Sequence, residues 1–152
     1  GLSAVPAANV VHFAGHALLD PIRPERTRLV LTGDGRADPS SGLTIADLGT
    51  LDLGAVDVFV FSACRALAAG HPRAHALAGL AGSAMAAGAG GVVASPWRVD
   101  DAVARALAVR FHAEYRATGD AAGALRSAQL AFWRDAAGAP PAAWAAFLHL
   151  AP

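Results

Sequence analysis

The sequence predicts a single α/β domain with a largely parallel sheet and helices on both faces. Three observations predict it. Short apolar runs rich in β-branched and aromatic residues recur at Asn9–Ala14, Val56–Cys64 and Gly91–Ser95. Runs of that length, bounded by glycine or turn residues, read as strands buried on both faces. Helical stretches follow them, and alternation of strand with helix suits the crossovers of a parallel sheet. The chain has 152 residues, 55% hydrophobic and 16% charged, which is enough for one domain with one core and too apolar for disorder.

In chain order, Leu2–Ala8 is a lead-in to the first strand. Asp20–Arg26, with Pro21 and Pro24, reads as a polar loop, and Arg28–Thr32 as a strand turned by Gly33-Asp34-Gly35. Asp38–Gly42 reads as loop. Thr44 precedes an apolar-periodic run, Ile45–Leu48, and is a candidate N-cap. After the Cys64 strand, Arg65–Pro72 reads as loop. Ala74–Ala87 is Ala-rich and helical, closing at Gly88. Asp100 or Asp101 opens a helix that reaches about Tyr115, with acids suited to the positive end of its dipole. Asp120 to about Trp133 is a further helix. Pro140-Pro141 breaks the chain, and Trp144–Leu150 closes it as a short helix or strand. No internal repeat and no interdomain linker is visible.

Composition excludes several functions. The formal net charge is +0, so no basic face is implied and nucleic acid is not an expected partner. One cysteine cannot form an internal disulfide, which points to a reducing, cytoplasmic setting. Ala74–Trp97 carries no acid, lysine or arginine and is long enough to suggest a membrane span. Its five glycines, Gly79, Gly82, Gly88, Gly90 and Gly91, together with Pro96, fit a small-residue helix followed by a buried strand better. Gly1–Asn9 has neither the basic region nor the apolar run of a secretory signal.

Two residues stand where chemistry gathers in open α/β sheets, just past the carboxyl ends of strands. Cys64 ends the second buried run, and His16 follows the first, 48 positions earlier. Taken singly, a free cysteine often packs as a small hydrophobe, and His16 fits a hydrogen-bonded loop histidine. Their matched strand-end positions favour a dyad instead. A thiol is a weak nucleophile until it becomes thiolate, and a neighbouring imidazole holds it there. A histidine about 50 residues upstream of the cysteine is also the caspase spacing.

Other candidates read differently. His12 lies within an apolar strand and reads as a core histidine with a hydrogen-bond partner. His12/His16 and His71/His75 have the four-residue spacing of zinc ligands on a helix. The first pair straddles a strand end and Pro72 interrupts the second, so no metal site is expected. Gly88-Ala89-Gly90-Gly91 precedes a strand and does not follow one, so it is no dinucleotide fingerprint. Trp97, Trp133 and Trp144 read as core or pocket wall.

Five stretches carry a resemblance over Asn9–Leu150: His12-Phe13-Ala14-Gly15-His16, Phe61-Ser62-Ala63-Cys64, Ala94-Ser95-Pro96-Trp97-Arg98-Val99-Asp100-Asp101, Ala124-Leu125-Arg126-Ser127-Ala128-Gln129 and Trp144-Ala145-Ala146-Phe147. In that order they resemble the CHAT family, caspase-like domains often found beside tetratricopeptide repeats in bacteria. The resemblance implies a caspase-like three-layer α/β/α sandwich with a mostly parallel sheet. It also implies that residues 1–152 form the catalytic C-terminal part of a longer domain and lack its N-terminal strands. By the same resemblance the family is related to separase and gingipain cysteine peptidases, His16 and Cys64 match the catalytic dyad, and no cofactor is needed. N–H groups of Cys64 and of the Gly15–Ala17 turn would bind the oxyanion.

The chain departs from the family pattern at two places. Ala17 stands where glycine usually follows the histidine, and a positive φ there would strain an alanine. Arg65-Ala66 stand where an acid and a threonine often follow the cysteine. Arg65 would lower the thiol pKa or reshape the substrate pocket. Asp100 and Asp101 match the region where separase-like relatives recognise a basic residue before the cleaved bond; alternatively they are helix caps, or they split the two roles. Two functions follow. The first is a cysteine endopeptidase acting on a protein or peptide in bacterial signalling or defence, with tetratricopeptide-repeat or other sensor domains as partners. The second is a non-catalytic caspase-like interaction module.

Overall fold

The computed structural model describes residues 8–18, 20, 22–32, 37–63 and 73–152. Its centre is a four-stranded sheet ordered β1-β5-β6-β7, built from β1 (Val10–Gly15), β5 (Val58–Ala63), β6 (Val92–Ala94) and β7 (Leu148–Leu150). β1, β5 and β6 run parallel, and β7 is antiparallel to β6. The sheet is thus mostly parallel, as the apolar runs predict. The closing segment that the sequence leaves as helix or strand is both: α5 (Pro141–Trp144) and then β7.

Helices cover both faces. On one lie α1 (Ile45–Leu48) and α2 (Arg73–Ala86), which with the sheet bury Leu48, Phe59, Phe61, Leu80 and Val92. On the other lie α3 (Asp101–Thr118) and α4 (Ala121–Asp135), closing over Val58, Val60 and Val93 with Leu107, Phe111 and Leu125. Strand periodicity explains the division, because alternate residues of β5 point to opposite faces. Burying an aliphatic or aromatic side chain contributes about 1.5–3 kcal/mol, so β5, apolar toward both layers, is the strand the domain assembles on.

Caps fix the ends. Thr44 starts α1 with a full capping box: its hydroxyl oxygen accepts from the Asp47 N–H, and the Asp47 carboxylate accepts from the Thr44 N–H. The Thr44 hydroxyl also donates to the Asp47 carboxylate (2.6 Å), and this bond first, then the Thr44 N–H, holds the Asp47 carboxyl below its ordinary pKa. Asp100 caps α3 and Asp120 caps α4. Past α2, Gly88 has φ +107°, and a Cβ there would press on the backbone of Gly54, so the position selects glycine twice over. Asp20 organises the Pro-rich loop by accepting from the N–H groups of Ile22 and Arg23.

Two expectations need correcting. Asp38–Gly42 is strand and not loop: it belongs to β4 (Ala37–Thr44), which pairs with β3 (Arg28–Thr32). With β2 (Ala17–Leu18) these form a separate antiparallel sheet, β2-β3-β4. β4 is an edge strand, where proline is tolerated, and the ladder with β3 outweighs local turn preferences. Gly42 belongs there because a Cβ would collide with the Leu29 carbonyl. The second correction concerns tryptophans. Trp97 and Trp133 are exposed, Trp97 donating its indole N–H to the Ala142 carbonyl (2.8 Å) and Trp133 leaning against Trp144. Among the described residues, no helix is long and apolar enough to cross a membrane.

Candidate active site

β1 and β5 pair in a constant register, from Val10↔Val58 to Gly15↔Ala63. The offset is 48 residues throughout, the same as the sequence separation of His16 and Cys64. His16 is thus one residue beyond the last described pair on its strand, as Cys64 is in sequence on the other. Cys64, Arg65 and the loop read at Arg65–Pro72 lie outside the described residues, as do His71, the His75 side chain and the Gly33-Asp34-Gly35 turn.

His16 is exposed and is anchored through its backbone, its carbonyl accepting from the Val30 N–H (2.8 Å). That bond also orients the next residue. Adjacent pairs of an antiparallel ladder alternate between bonded and non-bonded. Ala17 faces Leu29 in the non-bonded position, so its N–H turns away from β3. Among the described residues only glycines have positive φ, so Ala17 carries none of the strain that a glycine-type turn would impose. Its side chain is buried, at 2% exposure, in the core beside Leu29.

The two aspartates after β6 divide. The Asp100 carboxylate accepts from the N–H groups of Ala102 (2.9 Å) and Val103 (3.3 Å) and so acts as the N-cap of α3. Asp101 has no such bond and lines an open groove of about 1010 Å³ that His16 and Gly15 also line. The groove runs beside β1 and along α3, and Arg105 and Arg116 stand on its α3 wall.

His12 does not lie in the core. It is exposed in the groove, although it does have hydrogen-bond partners. Its Nε2 lies 2.8 Å from the Ser62 hydroxyl and its Nδ1 3.0 Å from Nε2 of His112 on α3. The two imidazole rings are tilted, 5.0 Å apart. Its placement follows the topology: β1 is an edge of the described sheet. Desolvation lowers the His12 pKa, and the neighbouring His112 lowers it further; desolvation also lowers that of His112. Both rings therefore favour the neutral form.

Sequence reasoning missed Ser62 and His112. The one signal for Ser62 is a hydroxyl in an otherwise apolar strand; His112, on a helix 100 positions from its partner, gives none. Among the described residues no group of three or more histidines, cysteines or acids is arranged to hold a metal.

A family model described as the CHAT domain matches residues 2–151. No curated protein matches the chain.

Proposed function

Since residues 2–151 match that family, the chain belongs to the CHAT domain family, and from that premise we propose that it is a cysteine endopeptidase with a Cys64–His16 dyad. The family is associated with caspase-like cysteine peptidases. In the proposed reaction the Cys64 thiolate attacks a peptide carbonyl, His16 draws off the thiol proton, and the same imidazole protonates the leaving amine. Water then hydrolyses the thioester. Backbone N–H groups of Cys64 and of the Gly15–Ala17 turn stabilise the oxyanion. The single observation that supports this reading best is the shared offset: the β1–β5 register and the His16–Cys64 separation are both 48 residues. The Ala17 N–H, turned away from β3 without backbone strain, is consistent with it.

In this reading the groove is the substrate cleft and Asp101, not the capping Asp100, selects a basic side chain before the scissile bond. A carboxylate there attracts lysine, and arginine in two-pronged fashion. The setting we infer is bacterial signalling or defence, in the cytoplasm, with a sensor domain such as a tetratricopeptide repeat as partner. The test is peptide cleavage by the protein and its variants. Cys64→Ala abolishes cleavage, and His16→Ala lowers it about 10²–10⁴-fold. Full cleavage by Cys64→Ala protein overturns the proposal and moves the chemistry to other residues, whereas no cleavage by the native chain leaves the non-catalytic interaction module as the better reading.

A further inference from the structure

Apart from the dyad, one cluster has the internal geometry of a nucleophilic site. Ser62, His12 and His112 form a hydrogen-bonded chain from hydroxyl to imidazole to imidazole, at 2.8 and 3.0 Å. A serine becomes nucleophilic when a base sits within hydrogen-bond reach and a third group orients that base. The order of roles is that of a serine triad, which is recognised by geometry and not by sequence position. Three elements supply it: β5 the serine, β1 the base and α3 the orienting ring.

The protonation pattern fits. When Ser62 donates to His12 Nε2, the His12 proton sits on Nδ1 and donates to His112 Nε2. Both rings must then be neutral, the form their partial burial favours. Access fits too. Ser62 lines the groove beside β1, and the residues around it are small: Ala14 on β1, and Ala104 and Ala108 on α3. Larger side chains at those positions would fill the space over the hydroxyl. The lining is mainly apolar, with Val10 and Val109 further along, while Arg105 supplies a cation to the same wall.

We propose that Ser62, His12 and His112 form a serine-type acyl-transfer site, independent of Cys64, that takes an ester with an apolar acyl group. Ser62 Oγ attacks the ester carbonyl carbon and forms the new C–O bond, while its proton passes to His12 Nε2. The bond to the leaving oxygen breaks, and His12 returns the proton to it, releasing the alcohol. Water then attacks the acyl-serine by the same route, releasing the carboxylic acid and restoring Ser62. Arg105, on the α3 wall of the same groove, is the cation assigned to the oxyanion. Ser62 and His12 are the catalytic residues, and His112 is a positioning residue that acts through His12.

The experiment uses the full chain carrying Cys64→Ala, so that no thiol contributes, and its outcome is separate from the peptidase reading. The protein is treated with an alkyl fluorophosphonate, and the adduct is located by peptide mass mapping. The expected result is one adduct, on Ser62. His12→Gln slows its formation by about 10²-fold or more. His112→Gln, which keeps an acceptor for His12 Nδ1–H, retains more of the rate than His112→Ala. Hydrolysis of p-nitrophenyl butyrate follows the same order. No adduct, an adduct elsewhere, or unchanged labelling in folded His12→Gln protein overturns the proposal. The mapping alone decides the matter if the histidine variants do not fold, since it leaves the three residues intact.

Discussion

The two faces of the central sheet are built from the same strands and end differently. Toward α1 and α2, β1 and β5 present Val11, Phe13, Phe59 and Phe61 to one apolar cluster; the face is sealed over β5, where the stacked Phe59 and Phe61 rings lie 4.3 Å apart, and partly covered over β1. Toward α3, the same strands begin apolar, with Val10, Val58 and Val60, and then change to His12, Ala14 and Ser62 near their carboxyl ends. Large apolar side chains cover the first face. Small and polar ones open the second into a groove at the end of the sheet where His16 stands. Both faces of β5 thus carry a buried core, and only the face toward α3 gives way to polar side chains at its carboxyl end.

The sharpest way to break that comparison is to truncate neighbours on β5. Phe61→Ala, on the sealed face at 3% exposure, should destabilise the fold by about 3–5 kcal/mol in denaturant unfolding. Ser62→Ala, on the open face, should cost about 1 kcal/mol, the net worth of one hydrogen bond. Equal losses would mean that the open face is as structural as the closed one.

A smaller effect separates the two aspartates at the groove end of α3. Asp100→Ala removes the N-cap and should cost about 0.5–2 kcal/mol. Asp101→Asn leaves the cap in place and should change stability by less, while removing the preference for a basic residue in a peptide-library profile. If cleavage follows Asp100 and not Asp101, the assignment is reversed.

The open face should also carry an acid sensitivity that the sealed face lacks. His12 and His112 have pKa values lowered from 6.5, so the unfolded chain binds protons that the folded protein does not. Their contribution to stability is full above about pH 6.5 and declines as the pH falls from there through the folded-state values. Urea titrations between pH 7.5 and 5 should show this loss, and His12→Gln with His112→Gln should flatten it. A profile unchanged in the double variant would place the acid sensitivity elsewhere. The smallest expected change is at the surface pair Arg110–Asp135 between α3 and α4, where Asp135→Ala should cost about 0.2–1 kcal/mol, less at high salt.

What the sequence showed and hid follows the same division. The buried strands were legible because Val, Phe and Gly mark them locally, and the caps at Thr44 and Asp100 because capping acts within one turn. The parallel pairing of β1 with β5 was legible because both runs are apolar and end at matching positions, 48 residues apart. β4 was not, since Asp38-Pro39-Ser40-Ser41-Gly42 has turn chemistry and becomes strand only by pairing with β3. Nor was the His12–His112 contact, which joins α3 to β1 across 100 positions of sequence. Local physics writes itself into sequence; the packing of distant elements does not.

The most direct measurement is the rate at which a peptide-like, thiol-directed inhibitor modifies Cys64, compared between the native chain and His16→Ala. Saturable modification at Cys64 is expected in the native protein, with a loss of about 10²-fold or more in the variant and unfolding midpoints alike. Modification at the same rate in both proteins, or none in either, would contradict the proposed dyad.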